Sequence, residues 1–396
     1  MNKFVTSLFA AAAIASPTFA GAPAPAAKDL EEVIEEVNYV ETAKTGIILS
    51  GYVDAGYIYN FSSGGSALRA PDDNSAEGDF NLNAFKLALE KPLSDANELQ
   101  AGFRVDLVFG EDAGSTFGGN TAGSPDGDSF AVEQAYVQFR MPVLNGVDVS
   151  VGKFVTWLGY DVFERPANLH ITYGNLFWNA IPADHTGIAF TTSINDTIDD
   201  VGFAIVNGVN TDDGAGLTDT DTYGLMAKVN VTNPGGNANF YQSIYYSWNG
   251  ANDWALGGTA NGETFVYDSW GNWLPTFADD KLLLGANFNF GYAELGGTLD
   301  ESFWWGTALE AKYQFTDIFS LAGRWDYFNA VDGRKLGTAG VTEEIYSYTL
   351  TAGFDLLENL LLRAEYRLDW GNGVETDGPG TDGIVHTVAA QAVYSF

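Results

Sequence analysis

The chain has 396 residues and a formal charge of −34, from 52 acidic and 18 basic residues, with no cysteine, 46 glycines and an aromatic content of 14%. Such an excess of negative charge would repel nucleic acid, and the lack of cysteine excludes disulfides and cysteine-based zinc sites. After the first 22 residues, no apolar run approaches the roughly 18 residues of a membrane-spanning helix, which argues against a helical membrane protein.

Residues 1–22 have the three-part pattern of a secretory signal peptide. Lys3 precedes an apolar run over residues 4–15, and Pro17 then leads into small residues. The run is too short to be a membrane span. We therefore expect the signal to be cleaved and the mature chain to be exported.

Residues 23–45 differ in character from the rest of the chain. Leu30, Val33, Ile34 and Val37 recur at helical spacing, with carboxylates on the opposite face. This pattern predicts a short acidic periplasmic helix. It would serve either as a solvated spacer or as a docking segment for self-association or for a partner.

From residue 46 onward, the chain alternates between apolar and polar side chains, and residues 361–370 are typical of this pattern. Leu362, Ala364, Tyr366, Leu368 and Trp370 share one face of a strand, and Arg363, Glu365, Arg367 and Asp369 share the other. The same period predicts about sixteen strands. They cover residues 47–61, 80–90, 98–109, 130–141, 147–156, 185–193, 200–209, 222–231, 239–248, 263–277, 282–294, 303–315, 319–331, 344–357, 360–372 and 383–396.

The connections between these strands alternate in length. Short connections such as 142–146 and 358–359 are followed by long ones such as 157–184 and 210–221. Short periplasmic turns with long extracellular loops are the asymmetry of outer-membrane barrels, and the chain stops on Phe396 at the end of an amphipathic strand. We predict an all-β, transmembrane, antiparallel up-and-down barrel over residues 46–396, in the outer membrane of a Gram-negative bacterium, with an inserted loop at 157–184.

Tryptophans concentrate where predicted strands meet the long loops, which is typical of an interfacial aromatic belt. The residues expected there are Trp157, Trp248, Trp304, Trp305 and Trp370.

The charged strand faces must point into the barrel, because the outer face meets hydrocarbon. A barrel of about sixteen strands is wide enough for a water-filled channel, so we predict a porin for passive diffusion of small hydrophilic solutes or ions. The residues expected to line the pore are Lys86, Arg104, Asp106, Gln138, Arg140, Lys228, Glu310, Lys312, Arg324, Asp326, Arg363, Glu365, Arg367 and Asp369. Acidic loops, such as the one with Asp72 and Asp73, favour cations at the mouth, although the wall arginines would slow them.

The loop at 157–184 is unusually apolar for a connection. An exposed run of this kind would promote aggregation, so it must pack against something. It could fold into the lumen and narrow the pore, cap the rim or contact a neighbouring protomer. The candidate constriction residues are Tyr160, Glu164, Arg165, Tyr173, Phe177 and Trp178.

The same region resembles the beta-barrel porin-2 (OmpL-like) family. The resemblance rests on V-G-K-F-V-T-W-L-G-Y-D at 151–161, on Asn168 and on A-I-P-A-D-H-T-G at 180–187. The matching residues are Gly152, Lys153, Phe154, Gly159, Tyr160, Asn168, Pro182, His185, Thr186 and Gly187. Asp161 stands where the family pattern has Glu, and residues 172–174 replace an expected Ser-Arg-Ser. The resemblance implies porin architecture and outer-membrane location, and no particular substrate.

Two rival functions belong to other classes. The first is a surface adhesin or structural barrel with a plugged lumen. The second is an outer-membrane hydrolase, which would need a nucleophile beside His170, His185 or His386. We expect no enzyme, cofactor or metal, and we expect membrane lipid and small solutes or ions as partners. A homotrimer and a monomer both remain open.

Overall fold

The computed structural model describes residues 46–61, 78, 80–117, 129–207, 223–248, 263–294, 301–331, 335, 342–372, 374 and 383–396. The expected signal peptide at 1–22, the acidic segment at 23–45 and the acidic loop residues Asp72 and Asp73 lie outside these residues. Within the described part, no helix has the length and apolar character that crossing a membrane requires.

Sixteen antiparallel strands form a closed barrel, which confirms the predicted fold class. Every strand pairs with the next one along the chain, and the first pairs with the last, from Tyr52 opposite Ser395 to Asn60 opposite Thr387. The strands are Ile48–Asn60 (β1), Phe80–Lys91 (β2), Gln100–Gly110 (β3), Ser129–Met141 (β4), Val147–Val155 (β5), Asp184–Thr192 (β6), Asp200–Asn207 (β7), Tyr223–Thr232 (β8), Ala238–Trp248 (β9), Thr264–Trp273 (β10), Leu282–Glu294 (β11), Glu301–Gln314 (β12), Phe319–Ala330 (β13), Glu343–Leu357 (β14), Leu360–Gly371 (β15) and Gly383–Ser395 (β16). The described residues also include two short helices, Glu111–Phe117 (α1) and Asn175–Ala180 (α2), in connections between strands.

Side-chain burial alternates along the strands as the sequence period requires. On β15, Arg363, Glu365, Arg367 and Asp369 are at most 5% exposed, whereas Tyr366 on the opposite face is 41% exposed. Apolar side chains cover the outer wall, for example Phe203, Leu309 and Leu350. Because closure pairs both edges of the sheet, every strand has a neighbour on each side, as a wall in hydrocarbon must.

One β-bulge changes which side chains face inward on β4. Asp106 pairs with Gln134, but the next residue of β3, Leu107, pairs with Val132, so Glu133 is an extra residue in the ladder. An extra residue shifts the alternation by one position. Both Glu133 and Gln134 are therefore buried on the inner side, at 2% and 3% exposure.

Strand ends differ from the predicted ones where turns intervene. The strand predicted to reach residue 277 ends at Trp273, because Pro275 leads into a 3₁₀ turn at Thr276–Ala278. Asp279 and Asp280 then adopt left-handed backbone conformations that close this turn. The connection predicted at 110–129 begins with helix α1.

The expectation of a tryptophan belt is wrong for two of its five members. Trp157 and Trp304 are 2% and 0% exposed, and both belong to an apolar cluster inside the barrel. Trp304 lies on the inner face of β12, and Trp157 lies in the segment after β5. Trp248 is 37% exposed, as a lipid-facing side chain would be.

Candidate functional site

The connection from β5 to β6 lies inside the barrel. Its residues contact Lys86 on β2, Asp268 on β10 and Arg363 on β15, which belong to widely separated parts of a closed wall. A segment that contacts strands on all sides of a closed barrel must cross the lumen. We call residues 156–183, between the end of β5 and the start of β6, the lumenal loop.

The apolar residues of the lumenal loop pack on one another and on the inner wall. The Tyr173 and Phe177 rings stack with centroids 4.3 Å apart, and Phe163 meets Phe177 edge to face at 4.8 Å. Trp304 on β12 donates its indole N–H to the Ala180 carbonyl oxygen at 3.3 Å. Burial of these aromatic side chains explains why such an apolar segment is tolerated in a connection.

Strand β15 binds the backbone of the lumenal loop through its charged face. Arg363 donates to the carbonyl oxygens of Arg165, Asn168 and His170, at 2.9, 2.6 and 3.0 Å. The Glu365 carboxylate accepts from the backbone N–H groups of Ile171 and Thr172, at 2.6 and 3.1 Å. Arg367 donates to the Tyr173 carbonyl oxygen at 2.5 Å. Buried backbone groups need such partners, so the charged face of β15 holds the backbone of the lumenal loop in place.

A second set of charges holds the loop on the side of β2 and β3. The Lys86 ammonium lies 3.2 Å from Asp106 and 2.7 Å from Glu133, and it also contacts Glu164 of the loop. Carboxylate oxygens of these three acids lie within 4.8 Å of one another, a spacing that could hold a metal ion. The positive charge of this cluster comes from the Lys86 ammonium and from the Arg104 guanidinium, which lies 2.9 Å from Asp106 and 3.8 Å from Glu164.

Helix α1 is a second element inside the barrel. Ala113 is fully buried against Tyr52, Ala84 and Val108 on the inner face of the wall. Asp112 of this helix accepts two hydrogen bonds from Arg165 of the lumenal loop, at 2.8 and 2.6 Å. The connection after β3 therefore supports the lumenal loop.

Asp161 and His170 of the lumenal loop are buried ionisable groups. Burial raises the pKa of Asp161, while Arg324, 3.1 Å away, acts in the opposite direction. The His170 ring nitrogen Nδ1 lies 2.7 Å from the Thr351 hydroxyl, and Nε2 lies 3.3 Å from Glu310. Burial lowers the pKa of His170 to about 3, and the positive charge of Arg324 contributes. His170 is therefore neutral at pH 7.

The start of the lumenal loop is fixed to β10. Gly159 donates its backbone N–H to Asp268 at 3.0 Å, and the Tyr160 hydroxyl donates to Asn272 at 2.7 Å. Gly159 has a φ of +101°, and a Cβ there would lie 2.5 Å from Ile181 at the other end of the loop. Glycine is thus required where the two ends of the loop meet.

Residues of the family motif hold the two ends of the loop together. Phe154 and His185 lie opposite each other on β5 and β6, with ring centroids 6.2 Å apart, and Lys153 pairs with Asp184 at 3.5 Å. Asn168 closes a turn by exchanging hydrogen bonds with the backbone of Val162, at 2.6 and 2.9 Å. The motif also includes Gly152, Gly159, Tyr160, Pro182, Thr186 and Gly187. Gly152 and Gly187 face each other across β5 and β6, where a Cβ on either would lie 2.2 Å from a backbone oxygen.

The residues predicted to line the pore divide into two groups. Those at the lumenal loop or beside its charged partners are Lys86, Arg104, Asp106, Glu310, Arg324, Asp326, Arg363, Glu365, Arg367 and Asp369. Gln138, Arg140, Lys228 and Lys312 lie apart from this group. Arg140 pairs with Asp148 at 2.6 Å, Lys228 with Asp200 at 2.5 Å, and Gln138 donates to the Lys91 carbonyl oxygen at 3.3 Å. Lys312 is half-buried on β12.

The candidate constriction residues also differ in their surroundings. Glu164, Arg165, Tyr173 and Phe177 are buried at the centre of the loop. Tyr160 is half-buried beside β10, and Trp178 is half-buried against the apolar cluster.

Sequence reasoning missed several acidic residues of the site. Asp268 was detectable, because it is a carboxylate in the middle of a predicted strand, on the same face as Thr264 and Asn272. Glu133 depends on the bulge and Asp112 on the path of α1, and no local pattern predicts either.

The histidines make contacts with hydroxyl groups of threonine and tyrosine. His185 Nε2 lies 3.2 Å from the Thr156 hydroxyl, and His386 lies 2.7 Å from the Tyr366 hydroxyl on the outer face. Within the described residues, neither arrangement adds a carboxylate to orient the ring as a hydrolase triad would. His170 has both a hydroxyl and a carboxylate beside its ring, from Thr351 and Glu310, but it is buried between the lumenal loop and the wall. The contacts of His170 and His185 are suited to holding the lumenal loop against the wall.

Comparison with known proteins gives one family and a common architecture. The family described as "Putative beta-barrel porin-2, OmpL-like" matches residues 46–396. No curated protein sequence matches the chain.

Solved structures of outer-membrane proteins are similar in fold. The channel DcaP of Acinetobacter baumannii is 13% identical with a TM-score of 0.62, covering 90% of this chain and 99% of that one. OprB of Pseudomonas putida is 13% identical with a TM-score of 0.56, covering 92% and 96%. The trimer form of OmpT of Vibrio cholerae is 10% identical with a TM-score of 0.55, covering 88% and 99%.

Proposed function

Since the chain belongs to the beta-barrel porin-2, OmpL-like family and is a porin of the outer membrane, we propose that its lumenal loop sets the size of the passage. Small hydrophilic solutes and ions diffuse passively through the space that the loop leaves. Transport of this kind needs no catalytic group and no cofactor.

The observation that carries this proposal is the attachment of the lumenal loop to opposite walls. Lys86 on β2 and Arg363 on β15 both bind residues of the loop, and Asp268 on β10 binds its start. A segment held at several points cannot swing freely out of the lumen. It narrows the water-filled cross-section, which a sixteen-strand barrel would otherwise leave wide.

Planar-bilayer recordings test the proposal directly. The purified protein should give discrete current steps, and a variant that lacks residues 160–181 should give larger steps. A gel-mobility shift on heating shows whether each variant is a folded barrel. If the folded wild-type protein carries no current, the porin proposal is wrong. If the folded deletion variant has the wild-type conductance, the constriction role is wrong.

A barrel with a closed lumen is the second candidate, as in an adhesin or structural protein. The density of ion pairs between loop and wall favours it, because buried charges in a complete network resist displacement. Liposome swelling separates the two functions. Swelling in sugar solutions supports the porin, whereas folded protein in intact vesicles without swelling supports the closed barrel.

We further propose a preference for cations. Around the lumenal loop, carboxylates outnumber basic groups. The acids are Asp54, Asp106, Asp112, Glu133, Asp161, Glu164, Asp268, Glu310, Asp326, Glu365 and Asp369, and the basic residues are Lys86, Arg104, Arg165, Arg324, Arg363 and Arg367. The surplus of carboxylates makes the electrostatic potential in the passage negative, which raises the local cation concentration. The reversal potential in a salt gradient should have the sign of a cation-selective pore, and the opposite sign would contradict the proposal.

Export and assembly complete the proposal. Residues 1–22 would direct export and then be cleaved. The mature chain would reach the outer membrane of a Gram-negative cell, with residues 23–45 as an acidic periplasmic segment. The trimer form of OmpT supports a homotrimer. Mass spectrometry of the mature protein gives its N-terminus, and light scattering in detergent gives its subunit number. A variant without residues 23–45 shows whether that segment affects assembly.

A further inference from the structure

The lumenal loop leaves part of the inner wall accessible, on strands β8 to β10 near the short turns. Here lie Asn230, Asn239, Tyr241, Trp270 and Asn272, together with Tyr160 from the loop; we call these six residues the aromatic–amide patch. Five of the six side chains are half-buried, and Tyr241 lies beneath Trp270. This is in contrast with the fully buried charges on β15.

The aromatic rings form a fixed platform. Trp270 and Tyr241 are direct cross-strand neighbours, and their rings stack with centroids 5.0 Å apart and planes at 17°. Tyr160 meets Trp270 edge to face at 5.8 Å and 87°. The Tyr160 hydroxyl is bound to Asn272, and the absence of a side chain on Gly285 leaves room for it, since a Cβ there would lie 2.5 Å from the hydroxyl oxygen.

Amide side chains lie in register with the rings. Tyr241 pairs with Asn230 on one side and with Trp270 on the other, and Asn239 pairs with Asn272 in the next row. The Asn239 amide nitrogen donates to Asn230 at 3.2 Å. Among the described residues, the side-chain oxygen of Asn239 and the side-chain nitrogen of Asn272 have no hydrogen-bond partner. One acceptor and one donor therefore remain for a solute.

The charged groups beside the patch are already engaged. Lys228 pairs with Asp200 at 2.5 Å and lies 4.9 Å above the Trp157 ring. The Asp199 carboxylate accepts from Asn230 and Thr232, each at 2.8 Å. Aromatic faces beside amides, with the neighbouring charges already paired or hydrogen-bonded, suit a solute that has an apolar face and a rim of hydroxyl groups.

We propose that the aromatic–amide patch is a binding subsite for neutral sugars passing through the barrel. The C–H face of a sugar ring lies against the accessible part of the Trp270 and Tyr160 rings, and its hydroxyls bond to Asn239 and Asn272. This inference rests on the proposed porin function and adds a substrate class to it.

Sugar block of the ion current tests the subsite. Glucose, maltose and maltotriose are added to single channels in planar bilayers, and the concentration that halves the current is measured for each. In Trp270→Ala this concentration should rise about five-fold, the factor that corresponds to about 1 kcal/mol of lost aromatic contact. Trp270→Phe keeps a ring and should retain most of the affinity. Asn239→Leu removes the acceptor without touching the loop and should also weaken block.

Trp273→Ala provides the matched control. This tryptophan lies on the same strand, is 46% exposed and faces the outside of the barrel. Its loss should leave sugar block unchanged. If sugar block were weakened equally in Trp270→Ala and Trp273→Ala, the subsite would be overturned, because the effect would then be general to the strand.

Saturation-transfer NMR on the detergent-solubilised protein separates binding from conduction. Transfer to maltose in the wild type, reduced in Trp270→Ala, supports the subsite even if no current is found, in which case only the porin function fails. Normal conductance with neither block nor transfer overturns the subsite and leaves the porin standing. Stronger block by benzyltrimethylammonium than by any of the sugars would overturn the assignment to neutral sugars.

Discussion

Arg165 of the lumenal loop and Asp112 of helix α1 form a two-point ion pair inside the barrel, with N–O distances of 2.8 and 2.6 Å. Both side chains are almost fully buried, and the Arg165 guanidinium also lies 4.7 Å above the Tyr173 ring. The pair joins two connections that are far apart in the sequence, so each connection helps to fix the other.

Replacing Arg165 by Met should therefore destabilise the barrel and loosen the loop. The change leaves Asp112 charged and buried without its main partner, which costs about 3–5 kcal/mol in comparable buried pairs. Thermal unfolding in detergent, followed by the gel-mobility shift on heating, measures the loss. We also expect larger and noisier current steps.

The double variant Arg165→Met with Asp112→Leu provides the control for this prediction. Removing both charges also removes the uncompensated carboxylate, so the double variant should be more stable than Arg165→Met alone. If the losses of stability in the two single variants added strictly in the double variant, the two residues would act independently.

Alternation and connection length were sufficient to predict the barrel. On β15 the apolar and charged faces separate at every position from Leu362 to Trp370, because a wall between lipid and lumen imposes a strict two-residue period. The family motif also pointed to the right segment, since Gly159, Asn168 and His185 lie at the ends and turns of the lumenal loop.

The interior was harder to predict from sequence. Glu133 reaches the inner face only through a bulge, and Trp304 resembles a belt residue until the neighbouring Gly291 is seen to leave room for its ring. The partners of Lys86 come from two strands and the loop, at sequence separations up to 78 residues. Such contacts depend on the path of the loop through the lumen, which local patterns do not specify.

The Lys86 cluster gives a prediction about metal binding. In Lys86→Ala, Asp106 would keep its ion pair with Arg104, but Glu133 and Glu164 would lose the ammonium between them, and the resulting repulsion should lower the unfolding temperature. Three carboxylates at this spacing are suited to Ca²⁺, so millimolar CaCl₂ should restore much of the loss. The wild type, in which the ammonium is present, should respond little to Ca²⁺.

Lys91→Ala, an exposed lysine at the end of the same strand, serves as the matched control for this test. It should change neither the stability nor the response to Ca²⁺. Equal stabilisation of all three proteins by Ca²⁺ would indicate general screening and not a site.

His170 gives a prediction about pH. Its pKa is about 3 in the folded barrel, below the ordinary value of about 6.5 that the unfolded chain has. The unfolded chain therefore takes up the proton first, and stability that is complete above pH 6.5 is lost as the pH falls towards 3. Glu310, Glu365 and Asp161 favour the protonated ring, whereas burial, which has the largest effect, and the charges of Arg324 and Arg363 oppose it.

His170→Gln isolates this contribution, because glutamine does not titrate. Unfolding temperatures of the two proteins in detergent are compared between pH 7.5 and 4. The wild type should lose more stability than His170→Gln below pH 6.5, and parallel curves would show that His170 is not the responsible group. Acids that do not interact with His170 titrate alike in both proteins and cancel in the difference, whereas Asp161 interacts with the ring and is part of the measured effect.

Gly291 and Trp304 give a prediction about packing, because they are direct cross-strand neighbours and the indole ring lies over the glycine. A Cβ on Gly291 would lie 2.1 Å from two ring carbons of Trp304, whose N–H fixes the end of α2 at Ala180. Gly291→Ala must displace a rigid buried ring, and overpacking of this kind costs about 1–3 kcal/mol. The unfolding temperature should fall, and the current steps should change because α2 loses its anchor. Gly323→Ala is the matched control on β13, where the nearest atom to a Cβ is 3.9 Å away, and it should be neutral. Combining Gly291→Ala with Trp304→Phe should recover part of the loss, since the smaller ring leaves room for the methyl group. If Gly291→Ala is as stable and conductive as Gly323→Ala, the indole can move without cost and does not hold the loop in place.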